Sequence, residues 1–196
     1  MIHALILLAA QAVTPAPAAT APPPATVRVA LTTTEGRIVL ELERDRAPIT
    51  TTNFLRYVDG KRLDGVTFYR TVRVQPKYGF VQFGVQNAPK RVLPPIKHEP
   101  TTQTGVRHTD GAISLARLAP GTGAGDFTIS VGDQRFSLDA DPSRPGDNAG
   151  YAAFGRVVEG LDVVHRSQEA PVATGGHVPG EQIAKPVVVL TARRVP

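Results

Sequence analysis

The chain has 196 residues and a formal net charge of +5, enough for one domain or a domain with a tail. Charged residues make up only 20% while Gly and Pro number 18 each, which argues against a helical bundle or coiled coil and for a turn-rich fold. The absence of Cys excludes disulfide scaffolds, thiolate nucleophiles and Cys-ligated zinc, and the scattered basic residues, without interleaved aromatics, give no nucleic-acid-binding face.

Ile2 to Val13 form an apolar run centred on Ala4 to Ala10, followed by small residues such as Ala16-Pro17-Ala18. A membrane-spanning helix needs about 20 residues, so this shorter run reads as a secretory signal over residues 1–19. The alternatives are a disordered apolar tail or a different start site, because His3 stands where a signal usually carries Lys or Arg. Pro15, Pro17 and Pro22-Pro23-Pro24 make the stretch up to Thr26 too stiff and too polar for a core, and residues 20–26 read as a semi-rigid tether. A folded domain is expected over 27–196, exported or periplasmic, with no stable membrane insertion once the signal is removed.

Val27 to Leu31 and Ile38 to Leu42 carry apolar residues at every second position around Thr34-Glu35-Gly36, a hairpin signature. Pro48 suits the first turn of a helix whose apolar face is Phe54, Leu55 and Val58, and Gly60 ends it. Short β-rich runs follow: Val66 to Arg70, Phe80 to Val85, Ala112 to Ala116, Phe127 to Val131, Ala152 to Val157 and Val187 to Ala192. A second helix is expected from Leu161 to Arg166. Many short strands at this spacing predict a closed antiparallel barrel or a sandwich.

Phe68-Tyr69-Arg70 and Gly79 to Gly84 are the most informative stretch. Regular alternation puts Phe68 and Arg70 on one face of a strand, with Gln82 joining them from the neighbouring strand. From these residues alone, the simpler reading is an arginine stacked on a phenylalanine at a sheet surface. Further on come Gly111 to Arg117, Asp126-Phe127-Thr128-Ile129, Ser137-Leu138-Asp139 and Gly150 to Gly160.

In this order, the segments resemble the cyclophilin family of peptidyl-prolyl cis-trans isomerases, most closely its exported bacterial members, from about Val27 to Val195. Lys185 to Leu190 is similar to their closing strand, and Pro94 to Glu99 to a loop they share. The resemblance implies a mainly β fold, a closed eight-stranded antiparallel β-barrel capped by two α-helices. It also implies isomerase activity on X-Pro bonds during folding of exported proteins. Arg70 then matches the catalytic arginine, with Phe68 at the edge of the same site, and Gln82 the glutamine that holds the substrate backbone. An insertion around Gln75 to Tyr78 lets the pocket phenylalanine be Phe80 or a neighbour. Leu115, Ala116 and Arg117 match the groove strand, and Leu138 and Tyr151 the wall of the proline pocket.

The departures from the family pattern are specific. Asp126-Phe127-Thr128 stands where Gln-Phe-Phe is usual, so the substrate-binding surface loses an aromatic at Thr128 and gains a carboxylate at Asp126. No Trp is present, and the family's indole position falls at about Phe136 or Ser137, which implies weak cyclosporin binding. These changes leave a rival reading open, a proline-peptide-binding chaperone or module with little isomerase activity.

Rotation about an X-Pro bond is slow because it breaks amide resonance, with a barrier of about 18–20 kcal/mol. No bond is made or broken, so the reaction needs no general base, metal or cofactor, and none is implied. The expected partners are proline-containing unfolded or partly folded polypeptides, met by a monomer. His3, His98, His108, His165 and His177 lack zinc-ligand spacing and read as loop or surface residues. Gly121 to Gly125 reads as a flexible loop rather than a phosphate cradle. Asp139, Asp141 and Asp147 read as a solvated acidic loop or, less readily, a weak calcium site.

Overall fold

A computed structural model describes residues 23–175 and 178–196; the expected signal at 1–19, the start of the tether, His3 and His177 lie outside the described residues. The alternating runs become β1 (Val27–Thr33), β2 (Gly36–Leu42), β3 (Thr67–Gln75), β4 (Tyr78–Gly84), β5 (Ala112–Leu115), β6 (Asp126–Val131), β7 (Ala152–Glu159) and β8 (Gln182–Val195). They pair in the order β1-β2-β7-β5-β6-β4-β3-β8 and close on themselves, with every ladder antiparallel. Closure satisfies the backbone groups that an open sheet would leave on its edges. The barrel expected from the sequence is therefore the barrel found, and the sandwich alternative falls away. The insertion around Gln75 to Tyr78 is the tip of the β3–β4 hairpin, with Lys77 in the left-handed region at φ 57°.

Two longer helices, α1 (Pro48–Asp59) and α4 (Leu161–Glu169), match the expected pair; two single turns, α2 (Thr101–Thr104) and α3 (Arg135–Leu138), are too short to carry a periodic signal. Pro48 opens α1, but Ala47 before it offers no side-chain cap. The buried carboxylate of Glu99 takes over, accepting hydrogen bonds from the backbone N–H of Ile49 at 3.1 Å and of Thr50 at 2.6 Å, and from the Thr50 hydroxyl at 2.6 Å. An anion on the otherwise unpaired N–H groups of a helix start is favourable both as a hydrogen-bond acceptor and against the helix dipole. The loop carrying Glu99 is thereby tied to α1.

Inward-facing residues of the strands meet α1 in an aromatic core. Phe127 sits at its centre, with its ring centroid 4.8 Å from that of Phe54, 5.7 Å from Phe83 and 6.0 Å from both Tyr57 and Phe154. Edge-to-face and tilted contacts of this kind add to the gain from burying the rings. Truncating the hub leaves a cavity that its neighbours cannot fill. Phe127→Ala is expected to cost about 3–5 kcal/mol, read as a lower midpoint of urea unfolding at unchanged slope.

Candidate functional site

A cavity of about 510 Å³ opens on the outer wall of the barrel where β3, β4 and β6 run side by side. Its floor follows from strand register. Arg70 pairs with Gln82 across β3 and β4, Gln82 with Thr128 across β4 and β6, and Thr128 with Ser114 across β6 and β5. One transverse row thus carries the guanidinium, the amide and two hydroxyls, and the Ser114 and Thr128 hydroxyls bond to each other at 2.8 Å. Phe80, two residues before Gln82, presents its ring 5.6 Å from the Arg70 guanidinium carbon.

The row depends on a β-bulge. Phe68 pairs with Phe83, yet Arg70, not Tyr69, pairs with Gln82; over the same step the partner on β8 jumps from Val187 to Gln182, so on that side the extra length lies on β8. The extra residue lets Tyr69 and Arg70 both line the cavity, which unbroken alternation forbids. Phe68 is corrected accordingly: it lies in the core with no exposure, stacked on Phe83 at 4.8 Å, and does not join the site. Leu115 is corrected as well: at the end of β5 it faces the core at 4% exposure, while Ala116 and Arg117 turn into the cavity. Phe80, Asp126, Thr128, Leu138 and Tyr151 line the cavity with Arg70 and Gln82, as the sequence suggested.

Both arginines are held by carboxylates. Arg70 donates from Nη1 to Gln82 Oε1 at 3.0 Å and from Nε to Glu181 Oε2 at 2.7 Å, and its Nη2 lies 2.7 Å from the same oxygen. Arg117 forks onto Asp147 at 2.6 and 3.0 Å and lies 5.0 Å from the Tyr151 ring centroid. Its contact draws the Asp147 carboxyl below the usual carboxylate range. Asp126 differs. Tyr69 Oη at 3.1 Å and the Gln86 N–H at 3.0 Å both donate to its Oδ1, and no cation pairs with it among the described residues. Burial pushes its carboxyl up, against the pull of those two donors. Burial, together with the nearby Asp126 charge, raises the Tyr69 phenol far above its ordinary range.

The backbone is shaped around that carboxylate. Gly84 has φ 147°, and a Cβ there would fall 2.3 Å from the Gly125 carbonyl oxygen and 2.7 Å from Asp126 Oδ1. Only glycine fits. Gln86 and Asn87 occupy left-handed conformations at φ 51° and 57° and line the same end of the cavity with Leu118, Thr122, Ala124 and Gly125.

Sequence reasoning missed Tyr69, because alternation assigned it to the opposite face, and Glu181, which lies 111 positions from Arg70 in a stretch without periodicity. Of the loop or surface reading for His108, the loop holds and the surface does not: it is fully buried, with Nδ1 2.7 Å from Asp139 Oδ1. The acidic loop does not converge either. Asp139 serves His108 and Arg107, Asp141 serves Arg144, and Asp147 serves Arg117. Phe136 stands 80% exposed outside the main cavity, under the Arg144 guanidinium at 4.5 Å.

Comparison with known proteins adds three findings. The family described as cyclophilin type peptidyl-prolyl cis-trans isomerase/CLD matches residues 28–194. Curated relatives include peptidyl-prolyl cis-trans isomerase A of Dickeya dadantii, 32% identical over 95% of this chain and 92% of that protein. A peptidyl-prolyl cis-trans isomerase of Streptomyces antibioticus is 36% identical over 84% and 96%. Among solved structures, a Cryptosporidium parvum cyclophilin superposes with a TM-score of 0.66 at 16% identity, over 88% of this chain and 99% of that one. The same Cryptosporidium protein in the presence of the dipeptide Ala-Pro gives 0.67 at 16% identity, over 86% and 99%.

The raised Asp126 carboxyl sets a sign for pH dependence. In the folded protein the neutral form is favoured, so the folded state keeps this proton to higher pH than the unfolded chain, whose value lies near 3.8. This group's contribution to stability is therefore full below that value and falls as pH rises through the raised one. Relative to Asp126→Asn, the urea midpoint of the wild type should decline as pH rises above about 3.8. Carboxyl-detected NMR should place the Asp126 midpoint above 3.8; a midpoint at or below it contradicts the burial argument.

Proposed function

This chain belongs to the cyclophilin-type peptidyl-prolyl cis-trans isomerases, and we propose that Arg70 is the residue that lowers the barrier to X-Pro rotation. The observation that carries the assignment is the seating of its guanidinium, fixed by Gln82 on one side and Glu181 on the other, in the wall of the cavity. A guanidinium has five N–H donors, so these contacts leave donors free to face a bound peptide.

The chemistry follows from what rotation does to the amide. Planar X-Pro nitrogen shares its lone pair with the carbonyl and is a poor acceptor. As the bond twists, resonance is lost and the lone pair localises on nitrogen. A donor aimed at that nitrogen binds the twisted state more tightly than either planar isomer, which is how a site accelerates a reaction without making a bond. Gln82 holds the arginine and, with Thr128, offers polar contacts to the peptide backbone. Phe80, Leu138 and Tyr151 supply an apolar wall for the proline ring, and Ala116 and Arg117 line the groove beyond it. Prior fixation of Arg70 means that little ordering cost falls on the transition state.

Proline-containing unfolded or partly folded polypeptides are the substrates this site suits, and we place the work among exported proteins. The apolar run from Ile2 to Val13 and the small residues after it support that location. Among the described residues no helix is long and apolar enough to cross a membrane.

For Arg70→Ala, the rate acceleration of a short X-Pro peptide should fall by about 10²–10³, the loss typical of removing one aimed donor, as read by exchange NMR. Unchanged acceleration rules out the assignment. N-terminal sequencing of protein recovered from the cell envelope should find a start near residue 20, whereas intact Met1 on soluble cytoplasmic protein overturns the exported role.

A further inference from the structure

The cavity wall carries three charged side chains, and their pairing is unequal. Arg70 is neutralised by Glu181 and Arg117 by Asp147. Asp126 has no counter-ion among the described residues, and both of its protein hydrogen bonds go to one oxygen, Oδ1. Its other oxygen, Oδ2, accepts none. A chain with an excess of positive charge overall thus presents a substrate cavity whose uncompensated charge is negative.

Position sharpens the point. Asp126 and Thr128 are two residues apart on β6 and line the same cavity. Two residues of extended strand span roughly 7 Å, so Asp126 sits about as far from the Arg70–Gln82–Thr128 row as a neighbouring residue of a bound peptide sits from its proline. The structure is also built to keep this carboxylate there. Gly84 leaves the space that any Cβ would take from Oδ1, and the Gln86 N–H is turned toward it by a left-handed backbone. Exposed Leu118 and the open end at Asn87 leave room for a long side chain.

We propose that Asp126 is a specificity-determining residue that selects X-Pro substrates carrying a lysine or arginine within two residues of the proline, the cation docking on Asp126 Oδ2. This deepens, and rests on, the reading of the cavity as the isomerase site. A cationic side chain supplies the missing counter-ion and draws the half-buried carboxyl back toward its ordinary range, while an acidic one adds a second negative charge to a site that already resists the first. With Glu181 and Asp147 already paired to them, the two arginines offer little net charge to an acidic peptide.

The test compares peptides identical except at one flanking position, which holds lysine, uncharged norleucine of similar shape, or glutamate, placed in turn before and after the proline. Wild-type protein should turn over a lysine peptide with kcat/KM about five times that of its norleucine counterpart, as expected for a partly shielded ion pair, with glutamate lowest. In Asp126→Asn the lysine-to-norleucine ratio should collapse to about one. Should that variant fold poorly, the wild-type ratio is read at low and at molar salt, where screening should narrow it while the norleucine rate holds. Equal rates for lysine and norleucine at every position, or a ratio unaltered by Asp126→Asn, overturn the proposal while leaving isomerase activity intact. No acceleration of any peptide overturns the isomerase reading instead, and NMR titration of the same peptides then decides whether the lysine preference exists in binding.

Discussion

Between Phe68 and Arg70 strand β3 carries one extra residue against β4, while its partner on β8 jumps from Val187 to Gln182, and the cavity is a consequence of that irregularity. In a regular strand, one of two adjacent side chains must face the core. Here Phe68 stays in the core on Phe83, while Tyr69 and Arg70 both reach the outer wall. Without the bulge, Arg70 would fall out of line with Gln82 and Thr128, and Tyr69 could not donate to Asp126. Bulges recur at the rims of barrels and beside functional sites, where they re-aim a side chain, and this one re-aims Tyr69 and Arg70.

The same economy governs charge. Arginines that line a groove attract any passing anion unless something holds them, and a flexible guanidinium must be ordered before it can act. Glu181 and Asp147 serve both needs, since each fixes an arginine and cancels its field at long range. What is left is short-range: donors on Arg70 aimed into the cavity, and one carboxylate at its far end. Glu99 shows the same device used for architecture, where a carboxylate from a distant loop replaces the side-chain cap that Ala47 cannot provide.

Rigid glycine-dependent packing keeps these groups in place. Gly84 and Gly125 sit where a methyl group would strike the Gly125 carbonyl and the Tyr57 hydroxyl respectively. Tyr57 belongs to α1, and its hydroxyl accepts the Leu93 N–H at 2.8 Å. The wall of the cavity is thus locked to the aromatic core through the loop that borders it, so core and site are one mechanical unit.

Strand and helix positions were legible in the sequence because period-two and helical spacing are local properties, set by which residues must be buried. The row formed by Arg70, Gln82 and Thr128 was partly legible, since each sits in a recognisable strand and the motif order resembles a known family. Phe68 was assigned to the site and Tyr69 was not, because a bulge is invisible to alternation: it arises from how neighbouring strands register once the barrel closes; Leu115 was carried over from the family resemblance, and its burial in the core is decided by the fold. Glu181 and the buried pairing of His108 with Asp139 were hidden for a related reason. Their partners lie far along the chain, and which distant side chains meet is decided by closure of the sheet. Residue types and local periodicity therefore determined the strands and narrowed the fold to a barrel or a sandwich, and the order of the motifs, through the family it resembles, named most of the chemistry; tertiary structure alone decided which charges of the cavity would be paired and which one left open.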